Sequence, residues 1–355
     1  MRRIIFIAIS FICCSFVAQG QTKNVYDLLT EPSISRPLTL HKGFLQLYGG
    51  YSHLNSNTIF DQSGVRLPFT ERGISMIENS YSFEMSYGIL EHLEFSAGIG
   101  YKNRFETEPT YYIDNRPGIS SEDRTYHQYG ISNLDLKLKY RLPEIVSGLD
   151  LLIFGGILTP VSSQHTKIPT HSIVLEDESN PSTPYQVYYE FNPAAGSPAV
   201  FYNAGLQVKY VKEKIGFSGK IQMQNPFSDV ETYTWVTRRY GEEFVHWKLW
   251  HFMHPKGMLY GNAQVVAQVY PWFAVNAGYD YFMETPGWTN ISGQEVSLTT
   301  SSAGFIKTGF EIQVSTHLRI LQQLYIPVNG KNTYSDFNVS LAVVYNMVPL
   351  KNKYY

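Results

Sequence analysis

The chain holds only two cysteines, Cys13 and Cys14, side by side near its start. Beyond them a disulfide framework or a cysteine metal centre has nothing to build on. Charge is scarce too. Asp, Glu, Lys and Arg make up 16% of the 355 residues, against roughly 25% in an ordinary soluble domain. Neither sign dominates: 28 Lys and Arg face 30 Asp and Glu, which excludes a polybasic nucleic-acid binder and an acidic tail protein. Past Gly20 no apolar run of 18 residues exists, so nothing there can cross a bilayer as a helix. The 27 glycines and 18 prolines are too few and too scattered for a collagen or low-complexity chain. What is plentiful is aromatic: 27 Tyr and 21 Phe, at a mean hydropathy of only −0.19. Low charge with many tyrosines and no very apolar average is an odd mixture for a soluble globule.

The first twenty residues read as an address. Met1-Arg2-Arg3 is basic, Ile4 to Val17 is apolar, and Ala18 and Gly20 are small residues before a cut at Gln21. Those are the three regions of a secretory signal peptide. A membrane anchor would need about 18–20 apolar residues, more than this run supplies. A lipoprotein cut at Cys13 or Cys14 would lack the small residues expected before it. The predicted division is a cleaved signal at 1–20, a periplasmic segment at 21–42, a barrel at 43–348 and a tail at 349–355.

The body alternates with period two, the signature of strands with one apolar and one polar face. Phe337, Val339, Leu341, Val343, Tyr345 and Met347 share one parity, while Asp336, Asn338, Ser340 and Asn346 share the other. Twelve such segments are predicted: 43–53, 74–89, 92–105, 131–142, 149–159, 199–211, 215–225, 258–270, 272–284, 303–315, 317–326 and 334–347. No proline falls inside any of these spans, as ladder hydrogen bonding requires. Short links at Leu90-Glu91, 143–148, 212–214, Pro271 and Thr316 alternate with long ones at 54–73, 106–130, 160–198, 226–257 and 285–302. The last link, 327–333, is intermediate. One end therefore gathers tight turns and both termini, and the other gathers long loops. That is the anatomy of an all-β, transmembrane, antiparallel up-and-down barrel, not of a sandwich with Greek-key crossings.

Charge supports the same reading. Every charged residue inside the spans falls on the parity opposite the apolar set, where a basic side chain avoids the ~2–4 kcal/mol penalty of facing lipid. The predicted lumen-lining set is Glu84, Glu94, Lys102, Asp135, Lys137, Lys139, Arg141, Lys209, Lys220, Gln222, Asp280, Glu284, Lys307, Glu311 and Arg319. Acids and bases balance, which argues against a strongly ion-selective pore. Inward Phe44, Tyr48, Phe154, Phe201, Phe282 and Tyr325 would narrow a lumen that twelve strands already keep modest. Trp272, Tyr101, Tyr140, Tyr210 and Tyr345 fit an interfacial aromatic girdle.

Loop 226–257 carries Trp235, Trp247 and Trp250, with Phe244, Phe252, His246, His251 and His254. The residues suit a folded cap packing its own aromatics, or an aromatic platform for a ligand. The histidine spacing matches no zinc pattern, and Glu176, Asp177 and Glu178 sit among prolines, more like a solvated loop than a calcium site. No nucleophile motif surrounds Ser163 and His165 or His171 and Ser172, so no catalysis is expected, and no cofactor or metal.

Gly130 to Leu142, reading GISNLDLKLKYRL, resembles a recurring strand of outer-membrane transporter-like barrels of the phenol-degradation meta-pathway type. Tyr87 to Phe95 resembles their Tyr-Gly hairpin, and Lys42 to Tyr51 and Gly205 to Gly219 are compatible. The resemblance implies uptake of small hydrophobic or aromatic compounds and brings no established site residues with it. Pro349 to Tyr355 departs from it by extending past the last strand. The expectation is an outer-membrane barrel of a Gram-negative bacterium passing a small hydrophobic or amphipathic solute. Its expected partners are membrane lipid, the barrel-assembly machinery and the solute, not nucleic acid. The alternatives are a surface or structural barrel, such as an adhesin or assembly partner, and a barrel hydrolase.

Overall fold

The computed structural model describes residue 34 and residues 36–68, 75–108, 124–144, 146–161, 166–167, 171–175, 185–190, 199–240, 243–291 and 294–347. The signal at 1–20, the tail at 349–355, Ser163, His165 and Glu176 to Glu178 lie outside the described residues.

Twelve strands form the barrel. They are β1 (Leu45–Ser56), β2 (Ser75–Leu90), β3 (Leu93–Glu108), β4 (Leu134–Arg141), β5 (Leu149–Thr159), β6 (Phe201–Lys212), β7 (Ile215–Pro226), β8 (Met258–Tyr270), β9 (Phe273–Glu284), β10 (Ser302–Gln313), β11 (Leu318–Lys331) and β12 (Asn338–Met347). Each pairs antiparallel with its neighbour in sequence, and β1 pairs with β12 from Leu45↔Met347 to Leu54↔Asn338. The ring is closed, so no barrel strand keeps an unpaired edge. Among the described residues no helix is long and apolar enough to cross a membrane; the strands do that work.

Parity decides which way each side chain faces. Along β12, Val339, Leu341, Val343, Tyr345 and Met347 are exposed, while Ala342, Val344 and Asn346 are buried. β6 follows the same rule, with Leu206, Val208 and Tyr210 outward and Phe201 and Asn203 buried. An apolar outer surface with a polar interior inverts the soluble pattern and matches a barrel solvated by lipid. Outward tyrosines mark the long-loop side, where Tyr51, Tyr81 and Tyr101 stand in register with ring centroids 5.2 and 6.2 Å apart. Tyr270 and Trp272 stack at 5.7 Å beside a short turn at the other end.

Three departures from the sequence reading have local causes. β11 runs on through Pro327, which cannot donate to a ladder; it sits at the irregularity between Gly304 and Phe305 on β10, where the pairing shifts register. The span predicted at 131–142 is two pieces, 124–131 and β4, separated at Ser132-Asn133. There Ser132 donates its N–H to Gly100 O at 2.7 Å and accepts from Gly100 N at 2.8 Å through Oγ. That extra residue flips the parity, so Ile131 and Leu138 both face outward. Finally, the long links are not plain loops. Strands 171–175, 185–190, 230–240, 243–254, 288–291 and 294–297 form a separate six-stranded antiparallel sheet. Loop 226–257 is thus largely a hairpin, pairing Tyr233 with Trp250 and Val236 with Trp247.

The described part of segment 21–42 does not lie outside the barrel. Ile34 is buried against Gly216 of β7, and Lys209 of β6 donates to Arg36 O. Arg36 Nη2 donates to Gln313 of β10 at 3.4 Å, and Leu40 N donates to Glu94 Oε2 of β3 at 2.8 Å. These strands stand on different sides of the ring, so residue 34 and residues 36–41 cross the inside of its short-turn end.

Candidate functional site

The inner face is built rung by rung from the strand register. On β3 and β4, Glu94 lies opposite Lys139, Ser96 opposite Lys137 and Gly98 opposite Asp135. Glu84 of β2 lies opposite Gly98 and completes the group. Lys139 Nζ meets Glu94 Oε1 at 2.8 Å and Glu84 Oε1 at 3.3 Å, while Lys137 pairs with Asp135 on its own strand. Two further pairs sit near the short-turn end: Arg141 with Asp150 at 3.4 Å, and Arg319 with Glu311 at 3.1 Å. Such pairing is what makes inward charge tolerable away from bulk water.

A second group occupies β8 to β10. Asp280 is 6% exposed and meets Lys307 at 3.1 Å. It also accepts from Tyr260 Oη at 2.8 Å and from the Asn262 amide. Apolar rings stand beside this polar centre. Phe282 and Phe305 stack at 6.2 Å, and Phe305 meets Tyr325 edge-on at 6.5 Å.

Lys220 of β7 lies between the two groups. Gln207 of β6 and Asn262 of β8 flank it in register. Its Nζ lies 5.1 Å from the centroid of Phe154 and 5.7 Å from that of Tyr260. Phe154 can lie there because its register partner is Gly205, where a Cβ would fall 2.4 Å from the ring.

The remaining members of the predicted set sit elsewhere on the inner parity. Lys102 approaches Glu78 at 3.7 Å. Glu284 meets Lys256 at 2.5 Å and accepts from Ser301 N at 2.8 Å, which anchors the link 285–301 at the long-loop end. Gln222 faces Gly205 and Tyr260 in register. Trp235, Trp247 and Trp250 fall on strands of the outer sheet, away from the barrel rungs.

Two contributors escaped the sequence reading. Tyr260 lies on β8, a strand without a single charged residue, so charge could not fix its parity; Asn262 and Gln264 on the same parity were the available signal. Residues 34–41 carry no periodic pattern at all. Together with inward residues of the barrel they enclose a cavity of about 400 Å³ at the short-turn end, bounded by Gln207, Lys209, Ser218, Gln264, Glu311 and Arg319. Among the described residues no three His, Cys, Asp or Glu side chains converge as metal ligands would.

Among solved structures the chain is similar to the COG4313 outer membrane channel from Pseudomonas putida, at 9% identity and a TM-score of 0.55, over 87% of this chain and 97% of that one. The P. putida toluene transporter TodX aligns at 11% identity and a TM-score of 0.48, over 92% and 93% of the two chains. The translocator domain of the autotransporter NalP from Neisseria meningitidis aligns at 10% identity and a TM-score of 0.44, over 86% and 89%. At such identities the likeness is one of fold, a closed antiparallel transmembrane β-barrel. No family model matches the chain, and no curated protein matches it by sequence.

Proposed function

We propose that this protein is a passive channel in the outer membrane of a Gram-negative bacterium, exported through a cleaved leader and passing small hydrophobic or amphipathic solutes. This is the role implied by its resemblance to the phenol-degradation meta-pathway barrels. One observation carries the reading: a closed ring of strands puts paired charges and aromatic rings on the same inner face, above a cavity of about 400 Å³. A solute with an apolar body finds ring faces at Phe282, Phe305 and Tyr325. Its polar atoms find amides and paired charges a rung away. Because acids and bases on the inner parity are balanced in number, the path as a whole favours neither small cations nor small anions strongly. Ile34 and residues 36–41 narrow the short-turn end, so the passage suits small molecules rather than bulk electrolyte.

Proteoliposomes carrying the full mature chain test this. The expected result is faster osmotic swelling than empty liposomes with small amphipathic solutes, and little gain with oligosaccharides. Swelling no faster than in empty liposomes across the whole panel would leave the structural-barrel reading in place instead.

A further inference from the structure

We propose that Lys220 is the seat of an anion site inside the barrel, and that its ligand is a small organic carboxylate with an aromatic or similarly compact apolar body. This rests on the channel reading for its role in passage, but not for its chemistry. Lys102, Lys137, Lys139, Arg141, Lys307 and Arg319 each have a carboxylate partner within 4 Å. Lys209 donates to Arg36 O. Lys220 alone among these lysines has no carboxylate or carbonyl partner among the described residues; its contacts are the faces of Phe154 and Tyr260.

Ring faces attract a cation, but they do not replace a counter-ion in a partly desolvated place. The nearby acids are already engaged. Glu84 is held by Lys139 and Asp135 by Lys137. Asp280, the next acid across β8, is taken by Lys307, Tyr260 and Asn262. The Lys220 ammonium is therefore left with no carboxylate in direct contact among the described residues, and the nearest acids reach it only at longer range.

That spot is furnished for more than a chloride ion. Gln207 lies directly across from Lys220 on β6, and Gln222 is the next inward residue on its own strand. Either amide can donate to a second carboxylate oxygen while the ammonium takes the first. Phe154 and Tyr260 flank the ammonium and offer their faces to an apolar body attached to the anion. The 400 Å³ cavity begins one rung toward the short turns: Gln207 and Ser218 line it while Lys220, Phe154 and Tyr260 do not, so a ligand on Lys220 borders that space through Gln207. Phosphate or sulfate would use the charge and leave the rings idle, so the rings select an amphipathic carboxylate.

The test is calorimetric titration of the purified full-length protein in detergent with sodium benzoate, benzamide and benzylammonium chloride. Wild type is expected to bind benzoate at least tenfold more tightly than benzamide, and benzylammonium most weakly. Lys220→Met should weaken benzoate by roughly tenfold or more, leave benzamide within twofold, and be rescued by Lys220→Arg. Equal affinity of wild type for benzoate and benzamide, or an unchanged benzoate affinity in Lys220→Met, would overturn the proposal. If Lys220→Met does not fold, the wild-type ranking of the three probes decides. Liposome swelling on the same preparation separates the two readings. Lys220-dependent benzoate binding without swelling removes the channel and keeps the site; swelling without it removes the site and keeps the channel.

Discussion

Replacing Lys139 by Met tests the idea that the inner charges of this barrel hold one another. Lys139 bridges two strands by meeting Glu94 at 2.8 Å and Glu84 at 3.3 Å. The two carboxylates are not equivalent: the Glu94 side chain is 5% exposed and that of Glu84 is 35% exposed. The exposed contact contributes little, on the order of 0–1 kcal/mol. The buried one is costly to break, because among the described residues Glu94 would keep its charge with Leu40 N alone to answer it. Losing one partner of such a pair costs about 3–5 kcal/mol, so roughly 3 kcal/mol is expected for Lys139→Met. Converting Glu94 to Gln in the same chain removes the stranded charge. The double variant should therefore be more stable than Lys139→Met alone, with a coupling of at least about 1 kcal/mol. The assay is urea unfolding of protein folded into lipid vesicles, followed by tryptophan fluorescence and by the folded band on unheated gels. The reasoning is refuted if Lys139→Met lies within about 0.5 kcal/mol of wild type, or if the two substitutions are additive.

Other outcomes follow from the same geometry. Ile221→Arg, on the exposed parity of β7, should cost ~2–4 kcal/mol in vesicle unfolding, while Gln222→Arg on the adjacent inner parity should cost far less. Gly156→Ala should destabilise by about 1–3 kcal/mol in the same assay, because its Cβ would fall 2.1 Å from Leu136 O. At the long-loop end, Asp336 accepts from Asn57 N at 2.6 Å, Thr58 N at 3.0 Å and Arg66 Nη2 at 2.9 Å. Burial opposes the charge, but the hydrogen bonds from Asn57, Thr58 and Ser56 prevail and hold the carboxyl below the usual carboxylate range. The staple is therefore complete above that range and is lost as pH falls through the lowered value. A spin label at Val65→Cys should stay ordered at neutral pH and gain mobility well below pH 4, and Asp336→Asn should mobilise it already at neutral pH.

How far these features were legible depends on the range over which their causes act. Strands such as β12 and β6 were legible because period-two alternation is local and lipid makes it strong: an outward charge is expensive on every strand. The twelve spans agree with the observed strands to within a few residues at most ends. β11 overran because a bulge at its own Val328, opposite the Gly304-Phe305 step of β10, accommodates Pro327, and the register against a neighbour is not written in a strand's own alternation. The outer sheet was missed as a sheet because its strands come from three different links. Lys220 was legible as an inward residue but not as an unpaired one. Pairing depends on which acids the register brings close and which lysines claim them first. Residues 34–41 were least legible, since they are held by single hydrogen bonds to distant strands and not by a repeating pattern.

That last feature bears on the order of assembly. Residues 34–41 precede β1, so they leave the ribosome ahead of every strand. Their anchors are Glu94 on β3, Lys209 on β6 and Gln313 at the end of β10, and none of these positions is meaningful until most of the ring stands. The seam that closes the ring joins residues some 300 positions apart, such as Leu45 and Met347, and contacts of such separation form late. The first part of the barrel domain to be made is thus the last to find its place. A chain stalled before closure would carry this segment loose, open to proteases that the finished barrel turns away.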